Sequence, residues 1–221
     1  MSKIALVIGG TGLVGSRLLE QLFADDRFAK VIAFGRKKSG KSHAKLEDQV
    51  IDFDAPDSWA SLVKGDVAFS TLGTTLDQAG SKAAQKKVDF DYQLEFAKAA
   101  AKNGVSAYVL VSSASANADS RMFYTRIKGE LDRDVQTLGF ERVRILRPSM
   151  LVGDRKEKAR TGEKIGNVFL NAVNAVGIAR KYRGIDVAIV AKGMINSALD
   201  PKPGTRIITL DEIFEEAERA R

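Results

Sequence analysis

Tyr124 and Lys128 are the two side chains in this sequence whose types and spacing best suit proton transfer. They stand four residues apart at the start of "YTRIKGELDRDVQTL" (124–138), a segment with helical spacing, so both lie on one face of a helix. A tyrosine with a pKa of about 10 is a poor acid–base group at neutral pH. An ammonium group beside it stabilises the phenolate and lowers that pKa. The pair predicts an acid–base centre in which Lys128 lowers the pKa of Tyr124.

Two serines, Ser112 and Ser113, close the apolar run "AYVLVSS" (107–113). Open α/β sheets bind their ligands at the carboxyl ends of the strands, where a hydroxyl group can hydrogen-bond a substrate carbonyl. Both serines are therefore predicted site residues, and the sequence leaves open which of them faces the substrate. A Y-x-x-x-K spacing alone arises by chance on amphipathic helices, but a serine-terminated strand upstream makes it more specific.

The segment "GGTGLVG" (9–15) follows an aliphatic run, Lys3 to Ile8, and leads into "LVGSRLLEQLF" (13–23), which has helical spacing. Glycine permits a tight turn, lets backbone amides approach a pyrophosphate, and allows close packing of helix on strand. Between a strand and a helix, this pattern predicts a dinucleotide-binding turn. Its predicted cofactor contacts are Gly9, Gly10, Thr11, Gly12, Leu13, Val14 and Gly15.

A second nucleotide pattern, "GRKKSGKS" (35–42), has the G-x-x-x-x-G-K-S spacing of a triphosphatase loop. Such a loop must lead into a helix long enough to aim its N-terminal amides at a phosphate group. Only "HAKLEDQ" (43–49) separates Ser42 from the next apolar run. We therefore interpret this match as accidental.

The same stretch has another meaning in a dinucleotide fold, because the residue just past the second strand meets the adenosine ribose. A carboxylate there would bind the ribose hydroxyls of NAD. Here Gly35 is followed by Arg36 and Lys37. An arginine can hold the 2′-phosphate of NADP by charge-assisted hydrogen bonds, each worth about 1.5–3 kcal/mol. Arg36 and Lys37 therefore predict NADP(H) as the cofactor.

Strand-like and helix-like segments alternate along the chain, which predicts an α/β fold with a doubly wound parallel sheet, the Rossmann fold. We expect one NAD(P)-binding domain over residues 1–221, in which residues from about 154 to 221 form a C-terminal substrate-side segment. The predicted strands are 3–8, 31–34, 50–53, 66–72, 107–113, 142–148 and 206–209. The predicted helices are 13–23, 81–103, 124–138, 162–177 and 186–199.

Composition restricts the class of protein. The 221 residues include no cysteine and a single histidine, His43, which argues against thiolate chemistry and against a metal site. The net charge of +7 is not accompanied by a basic segment with interleaved aromatic residues, so we expect a solvated basic surface and no nucleic-acid partner. The apolar run near the start is too short to span a membrane and lacks a secretory cleavage region. These features predict a cytoplasmic protein.

Taken together, the motifs resemble those of the short-chain dehydrogenase/reductase superfamily, in its extended or atypical branch. The greatest similarity is to the Tat-interacting-protein-like group of NADPH-binding proteins. The resemblance covers about Lys3 to Arg155. It is carried, in order, by "GGTGLVG", "GRK", "VIDFD", "STLGTT", "VDFDY", "VSS", "YTRIK" and "LRPSMLVGDR".

That resemblance implies roles for single residues. Tyr124 is the implied catalytic acid–base, Lys128 its partner and a ligand of the nicotinamide ribose, and Ser113 the substrate-orienting hydroxyl, a role that Ser112 could also fill. Many superfamily members carry an asparagine in the helix before the serine strand, where this chain offers Asp89. The further implied cofactor contacts lie beside adenine, after the fourth strand and near the nicotinamide ring: Asp52, Phe53, Leu72, Gly73, Thr74, Pro148 and Leu151.

The function predicted from these features is an NADP(H)-dependent oxidoreductase that acts on a small carbonyl or alcohol substrate. Two alternatives stay open. One is an NADPH-binding sensor or regulator with little turnover and a protein partner, since the resembling group includes proteins discussed as regulators. The other is a sugar-nucleotide epimerase, which uses the same centre, although the short C-terminal segment leaves little room for a nucleotide sugar.

Overall fold

Strands and helices alternate in the computed structural model, which describes residues 2–153 and 184–219. The strands are β1 Lys3–Ile8, β2 Phe28–Gly35, β3 Leu46–Val50, β4 Val67–Ser70, β5 Ala107–Val111, β6 Arg142–Arg147, β7 Leu151–Val152, β8 Ile185–Asp186 and β9 Gly204–Thr209. The α-helices are α1 Leu13–Phe23, α2 Leu76–Ala79, α3 Lys82–Lys86, α4 Tyr92–Lys102, α5 Phe123–Val135, α6 Val187–Ala198 and α7 Leu210–Glu218.

Seven strands form one sheet in the order β3-β2-β1-β4-β5-β6-β9, and every neighbouring pair is parallel. Strands β7 and β8 form a separate short parallel pair. The central strands are apolar throughout because both faces of the sheet are covered; all five residues of β5 are buried. The predicted doubly wound parallel sheet is confirmed.

Helices cover the sheet on both faces and bury two apolar clusters. On one face, Leu18 and Leu22 of α1 pack in a cluster with Met194 of α6. On the other face, Phe96 of α4 and Leu131 of α5 lie in the second cluster. The strand order reverses between β1 and β4, and ligands of open α/β sheets bind beside such a reversal, at the carboxyl ends of the strands.

The helical segment before β5 contains a π-turn. The sequence predicts one helix over 81–103, and the structure has α3, a π-helical turn over Lys87–Asp91, and α4. Ser81 caps the start by accepting a hydrogen bond from the Ala84 amide at 3.1 Å. Such π-turns are common at functional sites, and this one contains the buried residue Asp89.

The third strand differs from the prediction. "VIDF" (50–53) was expected to be a strand, but β3 ends at Val50. The chain turns there because the Asp52 carboxylate accepts the Asp54 amide at 2.9 Å. The element that follows Ser42 is the strand β3 and not a helix. This agrees with the interpretation that the triphosphatase pattern is accidental. The Lys41 ammonium lies 2.7 Å from the Glu20 carboxylate.

The C-terminal part adds both a strand and helices. The predicted strand over 206–209 is the end of β9, and the predicted helix over 186–199 corresponds to α6. Helix α7 was not predicted. The predicted helix over 162–177 lies outside the described residues.

Candidate functional site

The glycine turn joins the carboxyl end of β1 to α1. Gly9 has φ +81°, and a Cβ placed on it would lie 2.5 Å from the Thr71 carbonyl carbon. A Cβ on Gly15 would lie 2.1 Å from the Gly9 carbonyl oxygen. Gly12 is the N-cap residue of α1 and supplies no side-chain cap, which leaves the first amides and the positive end of the helix dipole facing the turn. This backbone cradle fits the pyrophosphate of a dinucleotide.

The basic residues predicted to select the cofactor follow the carboxyl end of β2. Arg36 and Lys37 are exposed, and neither has an ion-pair partner among the described residues. They are one strand away from the glycine turn because β1 and β2 are neighbours. A cavity of about 210 Å³ continues this basic surface but contains none of the predicted acid–base residues; its lining is Lys38, Lys41, Ser42, His43, Leu46 and Asp48.

The residues predicted to flank adenine differ in their exposure. Asp52 is exposed. The Phe53 ring is 5% exposed and stacks on Tyr92 with 5.0 Å between ring centroids. Trp59 packs edge-on against Phe53 and donates its indole N–H to the Asp52 carbonyl at 2.8 Å. The Phe53 side chain is therefore part of the core, which leaves only its backbone available to a ligand.

The loop after β4 carries three of the predicted contacts, Leu72, Gly73 and Thr74. Its last residue is anchored, because the Thr74 amide donates to Asp89 Oδ2 at 3.2 Å. A Cβ on Gly73 would lie 3.5 Å from the same carboxylate. Burial raises the pKa of Asp89, while Lys128 and the Thr74 amide oppose that rise. The π-turn thus places a carboxylate between the predicted cofactor loop and α5.

Tyr124 lies in the first turn of α5 and is 40% exposed. Desolvation of its phenol raises its pKa, the negative charge of Asp89 raises it further, and hydrogen bonding to Ser113 opposes the rise. The expectation that the pKa of Tyr124 is lowered is therefore wrong for this structure. The main reason is that burial desolvates the phenol, and the negative charge of Asp89, a residue distant in sequence, adds to the rise in pKa.

Lys128 is 2% exposed, and its ammonium donates to the Val111 carbonyl at 3.4 Å. Burial lowers the pKa of Lys128, and the negative charges of Asp89 and Asp132 oppose that fall. Lys128 is thus a buried amine whose charged form is disfavoured by burial and favoured by Asp89 and Asp132. Its electrostatic partners include one residue, Asp132, that sequence reasoning missed.

The structure separates the two serines. Ser113 is half-buried beside Tyr124, and its hydroxyl lies 3.1 Å from that of Ser115. Ser112 is 7% exposed, and its hydroxyl points toward Asp132 without reaching a partner among the described residues at full hydrogen-bond geometry. Of the two, Ser113 therefore faces Tyr124, and Ser112 faces Asp132.

Asp132 and Arg147 extend the charged cluster toward β6. The Arg147 guanidinium lies 2.9 Å from Asp132 Oδ2. Burial raises the pKa of Asp132, against hydrogen bonding and the positive charges of Arg147 and Lys128. Asp132 could have been predicted from the sequence. It follows Lys128 by four residues, as Lys128 follows Tyr124, so the three side chains share one face of the helix. No comparable spacing in the sequence predicts that Arg147 belongs to this cluster.

The segment predicted to support the nicotinamide ring follows β6. Pro148 is buried, and its carbonyl accepts the Ala114 amide at 2.9 Å, which ties this segment to the serine loop. Leu151 is half-buried and pairs with Ile185 in the β7–β8 ladder. Pro148 thus lies beside the serine loop, while Leu151 belongs to the separate β7–β8 pair.

Neither a metal centre nor a membrane span is found in the part of the chain described. Over residues 2–153 and 184–219, no three His, Cys, Asp or Glu side chains are grouped so that they could hold a metal ion. None of the helices within those ranges combines the length and apolar character needed to cross a membrane.

A known family model, described as NAD(P)H-binding, matches residues 9–201, a range that begins at the glycine turn. The chain belongs to this NAD(P)H-binding family. Protein HTATIP2 of Rattus norvegicus is 32% identical over 210 residues, covering 92% of this chain and 84% of the relative. The resemblance to the atypical short-chain dehydrogenase/reductases and to their Tat-interacting-protein-like group is thereby confirmed.

A fungal relative corrects one prediction. Protein FMP52 of Candida glabrata is 40% identical over 230 aligned positions, covering 97% of this chain and 96% of the relative. It is named as mitochondrial, as are other fungal relatives. The prediction of a cytoplasmic protein is therefore wrong by this comparison. Composition and short apolar runs do not distinguish the two compartments, which explains the error.

Solved structures agree on the fold. A UDP-N-acetylglucosamine 4-epimerase from Methanobrevibacter ruminantium, in complex with UDP-N-acetylmuramic acid, superposes with a TM-score of 0.69 at 19% identity. The match covers 97% of this chain and 80% of the epimerase. At this identity the likeness establishes the fold and leaves the reaction open.

Proposed function

We propose that this protein is an NADP(H)-dependent oxidoreductase that interconverts a small carbonyl compound and its alcohol. The observation that carries the proposal is the grouping of Tyr124, Ser113 and the buried Lys128 at the carboxyl end of the sheet that bears the glycine turn. A dinucleotide fold explains the turn, whereas a purely structural domain would not need an acid–base pair beside it.

The residues present fit a nicotinamide dinucleotide. The cradle at Gly9 and Gly15 admits no Cβ, which is what close approach of a pyrophosphate to the backbone requires. Arg36 and Lys37 are the proposed ligands of a 2′-phosphate, since they are exposed and without ion-pair partners in the described part of the chain. Lys128 is the proposed ligand of the nicotinamide ribose.

Each polar residue then has a defined task. A bound nicotinamide supplies or accepts the hydride. Ser113 hydrogen-bonds the carbonyl oxygen of the substrate and fixes its position, while Tyr124 gives its phenolic proton to that oxygen as negative charge develops on it. The phenol carries this proton at neutral pH, since burial moves the pKa of Tyr124 further above its ordinary value. The C-terminal segment from about residue 154 is the proposed substrate side.

A sensor function is the second proposal, and one observation favours it. The raised pKa of Tyr124 opposes the phenolate that alcohol oxidation requires, and it also makes the phenol a weaker proton donor for carbonyl reduction. A protein of this kind would bind NADPH and change its interaction with a protein partner without turnover. Binding without reduction of any carbonyl compound in a broad panel would favour the sensor.

Cofactor choice tests the proposed 2′-phosphate site. Fluorescence titrations of wild type with NADPH and NADH should show tighter binding of NADPH. In Arg36→Ala that preference should fall about tenfold or more, because at least one charge-assisted hydrogen bond is lost. Lys64→Ala, which removes an exposed positive charge elsewhere, is the control and should keep the preference. Equal affinities of the wild type for both cofactors would reject the proposal.

A further inference from the structure

Helix α5 has a glycine in its interior, Gly129, directly after Lys128. Glycine weakens the interior of a helix relative to alanine, so its presence there needs a reason. A Cβ placed on Gly129 would lie 2.1 Å from the Ala118 amide nitrogen and 2.2 Å from the Asn117 carbonyl carbon. Both atoms belong to the backbone of the serine loop, residues 112–122, which joins β5 to α5. No side chain fits at position 129 while this loop keeps its place.

The serine loop lies on α5 with backbone against backbone. The Asn117 amide donates to the Thr125 carbonyl of α5 at 3.0 Å. Near the start of the loop, the Ala114 amide donates to the Pro148 carbonyl at 2.9 Å. The loop that carries Ser113 is therefore held between the helix of the acid–base pair and the segment after β6.

We propose that Gly129 is a positioning residue, which sets the distance between the Ser113 hydroxyl and the Tyr124 phenol by letting the serine loop lie directly on α5. This inference rests on the proposed function, in which both groups must reach one substrate oxygen. Non-bonded atoms in contact lie about 3.5–4.0 Å apart, so a methyl group at position 129 would push the loop away by about 1 Å or more. A misplacement of about 1 Å can slow an enzyme about 100-fold.

Gly129→Ala should therefore reduce turnover of a carbonyl compound by about 100-fold. NADPH affinity should stay nearly unchanged, because the glycine turn and the basic pair follow other strands. The Asn117 amide should exchange its hydrogen for deuterium faster than in wild type, because its hydrogen bond to Thr125 is broken. Gly193→Ala is the matched control, since it also adds a methyl group inside a helix, with the new Cβ 3.3 Å from the Ile213 side chain. It should change neither turnover nor Asn117 exchange.

A loss of stability alone could also slow turnover, and a double-mutant cycle separates the two explanations. Ser113→Ala removes the hydroxyl that Gly129 is proposed to position. If Gly129 acts through Ser113, Ser113→Ala should reduce turnover much less in the Gly129→Ala protein than in wild type. Equal reductions in both backgrounds would overturn the inference, as would wild-type turnover and wild-type Asn117 exchange in Gly129→Ala.

Asn117→Ala repeats the test from the loop side if Gly129→Ala does not fold. The Asn117 side chain is exposed, and its Oδ1 shapes the loop by accepting the Asp119 amide at 3.0 Å. Asn117→Ala should lower turnover, and Asn117→Asp, which keeps an acceptor, should restore much of it. Equal turnover in wild type and Asn117→Ala would overturn the idea that the fit of the loop on α5 positions Ser113.

Failure of the proposed function would look different. A wild type that binds no NADPH, or reduces no carbonyl compound, rejects that function. Exchange of the Asn117 amide needs neither cofactor nor substrate, so it still decides whether Gly129 holds the serine loop against α5. Unchanged exchange in Gly129→Ala would overturn the inference in that case as well.

Discussion

At the scale of single residues, burial acts in opposite directions on the two members of the acid–base pair. It raises the pKa of Tyr124 and lowers that of Lys128, so that it favours the neutral form of both. Asp89 and Asp132 offset this effect at the lysine, since their charges favour the ammonium. Burial therefore has the largest effect on the protonation of both residues, and the neighbouring carboxylates have the next largest.

The sequence predicts which residues form this site better than it predicts their pKa values. Tyr124 and Lys128 could be predicted because side chains four residues apart on a helix lie on the same face. The raised pKa of Tyr124 could not be predicted, since it depends on desolvation of the phenol and on the charge of Asp89, and both arise only in the tertiary fold. The choice of Ser113 over Ser112 likewise depends on which hydroxyl the strand end turns toward Tyr124.

Gly15→Ala should abolish NADPH binding. The added Cβ would lie 2.1 Å from the Gly9 carbonyl oxygen, so the turn and α1 must move apart. We also expect the free energy of unfolding to fall by about 1–3 kcal/mol, as overpacking usually costs. Urea unfolding and fluorescence titration measure the two effects.

Gly193→Ala is the control for Gly15→Ala, because it also adds a methyl group in a crowded helix, with the new Cβ 3.3 Å from the Ile213 side chain. Gly193 lies in α6, far along the chain from the glycine turn. The Gly193→Ala variant should have a lower free energy of unfolding than wild type but should still bind NADPH. Normal NADPH affinity in Gly15→Ala would show that the turn is not the pyrophosphate site.

At the scale of elements, one carboxylate stabilises the junction at which β9 ends and α7 begins. Glu212 accepts hydrogen bonds from both the amide and the hydroxyl of Thr209, each at 2.7 Å. These hydrogen bonds lower the pKa of Glu212. The T-x-x-E spacing of a capping box is present in the sequence, so this helix could have been predicted.

Thr209→Ala should lower the free energy of unfolding by about 1 kcal/mol at neutral pH. Because the folded-state pKa of Glu212 is lowered, its contribution is complete above the unfolded-state pKa and is lost as the pH falls. The difference between wild type and variant should therefore shrink in acid. Urea unfolding at pH 7 and pH 3 measures it.

The control for Thr209→Ala is Thr205→Ala, which changes an exposed threonine of the same strand, β9, that does not cap a helix. It should have a smaller effect that is independent of pH. An equal loss of stability in both variants at both pH values would contradict the capping role of Thr209.

Elements differ in how well the sequence predicts them, for physical reasons. Strands β1 and β5 were clear because burial on both faces selects uninterrupted apolar residues. Strand β3, "LEDQV", was misplaced because it lies at the edge of the sheet and is only partly buried. The π-turn in the helix over 81–103 was missed because it leaves no simple periodic pattern.

At the scale of the whole molecule, the parallel sheet brings segments distant in sequence to one edge. The glycine turn follows β1, the basic pair follows β2, the Thr74 loop follows β4 and the serines follow β5. Because the strands are parallel, all four segments emerge on the same side. The family match to NAD(P)H-binding proteins fits this arrangement, and the proposed acid–base chemistry depends on it.

The central claim is that Tyr124 gives a proton during reduction of a carbonyl compound by NADPH. The measurement that tests it most directly is oxidation of NADPH, followed by absorbance, across a broad carbonyl panel, for wild type and Tyr124→Phe side by side with cofactor titrations. The account predicts turnover by wild type with at least one compound. It predicts a loss of about 100-fold or more in Tyr124→Phe, with NADPH affinity nearly unchanged. A Tyr124→Phe protein that reduces the same compound at the wild-type rate would contradict it.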